Sequence, residues 1–128
     1  MQHLCRQVSM KKTLVMGASP NPSRYSNMAM KQLLDAGHTV YAVGSRPGTI
    51  YGLEIHTSPV PFKDLDTVTL YINPLLQKQY YDYLISLKPA RIIFNPGTEN
   101  PELEKLANSA GIHCENACTL VLLSTDQY

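Results

Sequence analysis

Short apolar runs alternate along the chain with longer amphipathic segments, and this alternation constrains the fold more than any other feature. Lys12–Met16, Thr39–Val43, Thr67–Ile72, Arg91–Phe94 and Ile112–Glu115 read as strands. They are apolar nearly throughout rather than every second residue, as expected of strands buried on both faces. Between them lie helices. Asn27–Ala36 places Ala29, Met30, Leu33 and Leu34 on one face, with Ser26 or Asn27 as cap and Gly37 as stop. Asn73-Pro74 and Asn100-Pro101 each match a capping asparagine followed by proline at the first helical position. The first opens a segment with Leu76, Tyr80, Tyr83, Leu84 and Leu87 on one stripe, ended by Pro89; the second has Leu103, Leu106, Ala107 and Ala110, ended by Gly111. Cys118–Ser124 is a last short helix. Gly44–Pro61 is rich in Gly, Pro, Ser and Thr and reads mostly as loop, with a small excursion at Ile50–Ile55.

Strands joined by helices form parallel sheets covered on both sides. The expected architecture is therefore α/β: a single-domain, Rossmann-like, doubly wound parallel sheet of about five strands, order 3-2-1-4-5, with helices on both faces. At 128 residues the chain has room for one sizeable core and no second domain. Apolar residues make up 44% and charged residues 16%, a globular composition, and the net charge of +1 argues against a broad nucleic-acid surface. No apolar run approaches the roughly 18–20 residues that span a bilayer. The three cysteines, Cys5, Cys114 and Cys118, form no CxxC pair and no metal-ligand spacing. An odd count without a secretory signal fits the cytoplasm. Residues 1–9 are polar and patternless and are expected to be a mobile extension, leaving residues 10–128 as the domain.

Ligands of open α/β sheets lie at the carboxyl ends of the strands. That rule gathers four segments. The first is Gly17-Ala18-Ser19-Pro20-Asn21-Pro22-Ser23-Arg24-Tyr25-Ser26, a polar turn leading into a helix whose first amides can hold phosphate. Ser19 and Pro22 stand where a dinucleotide fingerprint would have glycines, so hydroxyl and amide donors of Ser19, Ser23, Ser26 and Asn27, with the guanidinium of Arg24, take over. The second segment is Val43-Gly44-Ser45-Arg46. An NAD site places a carboxylate there for the ribose hydroxyls, whereas Arg46 suits a phosphorylated ribose, as in NADP or coenzyme A. Asn73-Pro74 and Asn95-Pro96-Gly97-Thr98 complete the set. Tyr25 and Tyr51 are placed to stack on adenine.

No catalytic constellation assembles. His38 and His113 fall at the far end of the sheet, His56 in a loop and His3 in the tail. Cys118 follows the last strand, but Ala117, Leu120, Val121 and Leu122 around it read as core.

Gly17-Ala18-Ser19 with Arg24-Tyr25-Ser26, then Val43-Gly44-Ser45-Arg46 with Ile50-Tyr51-Gly52 and Ser58, then Phe94-Asn95-Pro96-Gly97-Thr98-Glu99-Asn100 and Ala117-Cys118-Thr119-Leu120-Val121, resemble the small bacterial CoA-binding domain proteins. These are stand-alone relatives of the CoA-binding domain of the succinyl-CoA synthetase alpha subunit, and the resemblance runs from about Lys12 to the end of the chain. It implies binding of coenzyme A or acyl-CoA, with the adenosine diphosphate on Gly17, Ala18, Ser19, Arg24 and Ser26 and against Val43, Gly44, Ser45 and Arg46. Two departures stand out: Gly44-Ser45 replaces the family's usual Asn-Pro, and the region carrying the synthetase's active-site histidine has no counterpart.

The expected function is non-catalytic binding of coenzyme A or acyl-CoA as a sensor or carrier, without metal, nucleic acid or membrane, and with self-association open. The alternatives are a small NADP-dependent or acyl-CoA-using enzyme, the latter with Cys118 as nucleophile, and a protein-interaction module with a vestigial nucleotide site.

Overall fold

The first described strand, β1 (Lys12–Met16), lies at the centre of the sheet in a computed structural model that describes residues 10–128. The expected extension at residues 1–9 lies outside the described residues. β1 pairs in parallel with β2 (Thr39–Val43) on one side and with β5 (Thr67–Leu70) on the other. Beyond β2 come β4 (Leu53–His56) and β3 (Gly48–Ile50); beyond β5 come β6 (Arg91–Phe94) and β7 (His113–Asn116). Every pairing is parallel except the edge hairpin β3–β4.

Successive residues of the strands point to opposite faces, and each face is packed. Leu14, Met16, Val68, Leu70, Ile92 and Phe94 meet Leu84 of α3 (Tyr81–Ser86) and Leu103 and Ala107 of α4 (Pro101–Ser109). Val15, Val40, Ala42 and Ile55 meet Met30 and Leu33 of α1 (Tyr25–Asp35), with Leu123 of α5 (Thr119–Ser124) half-buried beside them. The doubly wound α/β class is as the sequence implies.

The strand count and order differ. Among the described residues the sheet has seven strands, and Thr67–Leu70 lies beside β1 instead of beyond β2. The place beside β2 is taken by β4, inside the segment read as loop. Ile50-Tyr51-Gly52-Leu53 turns β3 into β4 with positive φ at both central positions, 50° at Tyr51 and 81° at Gly52, the backbone of a type I′ hairpin. Ile50 and Ile55 are buried and anchor the hairpin to the α1 face.

Local differences have clear causes. α1 begins at Tyr25, and its N-cap, Arg24, makes no side-chain cap bond, so neither Ser26 nor Asn27 caps it. Gly37, at φ 90°, ends it as expected: His38 N–H donates to Leu33 O and Gly37 N–H to Leu34 O. The helix expected after Asn73 is broken into α2 (Pro74–Gln77), a 3-10 turn (Lys78–Tyr80) and α3. Leu76 leaves the core stripe and is 47% exposed, and on α4 Leu106 is 45% exposed.

Candidate functional site

The chain winds outward from β1 through β2 to β4, then returns to β5 and winds the other way, so the strand order reverses between β1 and β5. A crevice forms at such a reversal. Here it is a cleft of about 900 Å³ at the carboxyl ends of β1, β2, β5 and β6.

Two glycines let the strand ends come together. Gly17 has φ 94°, and a Cβ there would lie 2.9 Å from the Tyr71 carbonyl oxygen. A Cβ on Gly44 would run into the Ala18 carbonyl oxygen. The turn leaving β1 folds toward β2, with Gly17 N–H and Ala18 N–H both donating to Val43 O, at 2.8 and 3.0 Å. Asn27 locks it from behind. Its Nδ2 donates to Ser19 O at 2.9 Å, and its Oδ1 accepts from the Tyr51 hydroxyl at 2.6 Å. The Ser23 hydroxyl donates to Asn21 Oδ1 at 2.8 Å. Ser23, Asn27 and Tyr51, expected as ligand contacts, therefore hold the turn and do not line the cleft.

The first amides of α1, Tyr25 and Ser26, meet no acceptor among the described residues. Both residues line the cleft, and so do the exposed side chains of Arg24 and Arg46. Among the described residues, no Asp, Glu, His, Cys or Lys lines it. An uncapped helix start and two guanidinium groups, sharing one cleft with no carboxylate among the described lining residues, have the chemistry that suits an anion.

The opposite wall belongs to β5 and β6. Ile72, Asn73, Leu76, Gln79 and Tyr80 face Pro96, Gly97 and Thr98 across it. Asn73 caps α2 by accepting from Leu76 N–H at 2.9 Å. Gln77, fully buried behind the wall, ties its two segments together: Nε2 donates to Ile72 O at 2.9 Å and to Thr98 O at 2.8 Å, and Oε1 accepts from Asn100 Nδ2 at 2.9 Å. Asn100 Oδ1 in turn caps α4 through Glu102 N–H and Leu103 N–H.

Of the residues singled out in the sequence, Gly17–Ser19, Arg24–Ser26, Val43–Arg46, Asn73 and Pro96–Thr98 all line this one cleft. Pro74 and Asn95 do not. Pro74 only starts α2. Asn95 lies beneath, 2% exposed, donating to Thr69 Oγ1 and Leu70 O and accepting from Thr119 N–H. Pro20 and Asn21, inside the expected first segment, also line the cleft, whereas the sequence reading missed Met16, Tyr71, Ile72, Leu76, Gln79 and Tyr80. Leu76 and Tyr80 carried a visible signal, the four-residue spacing, but it was assigned to the core. Burial pushes the Tyr71 phenol up to about 12, so it is neutral at physiological pH. Cys118, half-buried at the start of α5, lies outside the lining, and Cys114 is pushed up by burial to about 11.

Residues 11–124 match the profile of a family described as a CoA binding domain. The chain belongs to that family. Among solved structures, a crystal structure of an uncharacterized protein shares 45% identity with a TM-score of 0.93, covering 94% of this chain and 100% of that one. A hypothetical protein from Pyrococcus horikoshii OT3 shares 31% identity with a TM-score of 0.82, covering 95% of this chain and 85% of that one. A dinucleotide-forming acetyl-coenzyme A synthetase 1 of Ca. Korarchaeum cryptofilum, in complex with phosphate and ADP, has a TM-score of 0.67 at 22% identity, covering 84% of this chain and 25% of that one. At that identity the likeness is one of fold. A search of curated proteins finds no match. No helix among the described residues is long and apolar enough to cross a membrane.

Proposed function

We propose that this CoA binding domain holds coenzyme A, free or acylated, in the cleft, as a non-catalytic cytoplasmic module that senses or carries it. The observation that carries the reading is the pairing of the uncapped start of α1 with Arg24 and Arg46 in a lining without a carboxylate. The diphosphate lies on Ser19 and the amides of Tyr25 and Ser26, with Arg24 beside it. Arg46, where an NAD site would have an acid, takes the 3′-phosphate. Tyr25, 70% exposed, stacks on the adenine. The pantetheine arm crosses the strand ends toward Asn73 and the Pro96–Thr98 turn. Family membership supports the ligand class, and the absence of an acid–base pair from the lining supports binding without chemistry.

Calorimetric titration with CoA, dephospho-CoA, NAD and NADP tests this. CoA is expected to bind about tenfold tighter than dephospho-CoA, the value of one charge-assisted phosphate contact. Arg46→Gln should bring the two together. Equal affinities in the unmodified chain would remove the role of Arg46, tighter binding of NADP than of CoA would reassign the ligand, and binding of none of the four would overturn the reading.

A further inference from the structure

The two halves of the cleft differ in chemistry. Both arginines belong to the half over β1 and β2. The half over β5 and β6 presents Ile72, Leu76, Tyr80 and Pro96 as apolar groups, and its polar side chains, Asn73, Gln79 and Thr98, are uncharged. Leu76 is 47% exposed, and its neighbour Leu75, just outside the lining, is 77% exposed. Single exposed leucines are ordinary, but one that lines a cleft together with Ile72, Tyr80 and Pro96 is apolar surface that a bound molecule can cover.

The reach of the ligand decides which part covers it. From the first turn, above β1, to the Pro96–Thr98 turn, above β6, is two strand spacings, or about 10 Å. The pantetheine arm is a chain of about a dozen bonds, about 14 Å when extended, so it covers this distance with slack. With the diphosphate on the first turn, the sulfur arrives beside β6 and α2, and whatever is esterified to it meets Leu76. A carboxylate on that group would find no cation in the lining of this half, because Arg24 and Arg46 are at the other end and the nearby Lys78 lies outside the lining.

We infer, resting on the coenzyme A reading above, that the cleft is selective for CoA thioesters bearing an uncharged aliphatic acyl chain, over free CoA and over dicarboxylic acyl-CoA. The chain lies along Leu76, beside Ile72 and Tyr80. Competition calorimetry on the full chain with CoA, hexanoyl-CoA and succinyl-CoA tests it. Hexanoyl-CoA is expected to bind about tenfold tighter than CoA, from burial of its methylenes, and succinyl-CoA no tighter than CoA. In Leu76→Ser the ratio of hexanoyl-CoA to CoA affinity should fall toward one. Leu75→Ser, outside the lining, should leave the ratio as it is. Equal binding of CoA and hexanoyl-CoA, or a ratio untouched by Leu76→Ser, overturns the inference while leaving CoA binding intact. Binding of none of the three overturns the coenzyme A reading and this inference with it.

Discussion

His38 illustrates how one side chain's role follows from where it is buried. It is 7% exposed at the end of the sheet away from the cleft, and its Nδ1 accepts from Lys11 N–H at 2.9 Å. Burial, then the positive charge of Lys11, hold its pKa below the ordinary 6.5, with Asp66 opposing and Arg91 adding to the effect. The folded protein therefore takes up the His38 proton less readily than the unfolded chain. Stability from this residue is complete above pH 6.5 and is lost as the pH falls from there through the folded-state value. His38→Asn, which keeps an acceptor and removes the titration, should flatten the fall in melting temperature as the pH drops below 6.5, as read by circular dichroism. At this scale the sequence was informative where a residue type admits few uses. Gly17 and Arg46 sit where the strand ends put them. Asparagine was harder to read. Asn73 and Asn100 cap helices, Asn27 braces a turn and Asn95 is buried under the cleft, and only spatial neighbours separate these uses.

Among the elements, the wall made by α2 and the 3-10 turn departs furthest from its sequence signal. A continuous apolar stripe implied one helix against the core; instead the chain bends at Gln77, and the first turn of the stripe faces the ligand cleft. Gln77 makes the bend possible by satisfying Ile72 O and Thr98 O in a site with no water access. Gln77→Leu leaves both carbonyls unpaired, while Asn100 Nδ2 keeps its bond to the Tyr81 hydroxyl, and should cost about 1–3 kcal/mol in urea unfolding. Asn100→Ala loses the α4 cap as well as the bridge, and should cost at least about 1 kcal/mol. The hairpin β3–β4 escaped notice for a different reason. Its strands are short, and Pro47 and Pro59 nearby read as loop. Once Ile50 and Ile55 are seen as buried, β5 is displaced to the other side of β1, and the remaining strands keep their relative places.

For the molecule as a whole, alternation of strand and helix was enough for the α/β class, because no other arrangement buries apolar strands on both faces within one small chain. The cleft was legible as a set of segments, since the ends of parallel strands must converge, but its apolar wall was not. Although the chain is nearly neutral, its two cleft-lining charges, Arg24 and Arg46, were legible in the sequence as guanidinium groups at strand ends with no carboxylate beside them. That asymmetry is the basis of the central claim, that coenzyme A occupies this cleft with its phosphates on the first turn. An amide NMR titration with CoA tests it most directly. The expected result is saturable shifts concentrated at residues 17–26, 43–46 and 96–98, with those of α4 and β7 nearly still. Shifts absent throughout, or confined to the far end of the sheet around His38, would contradict it.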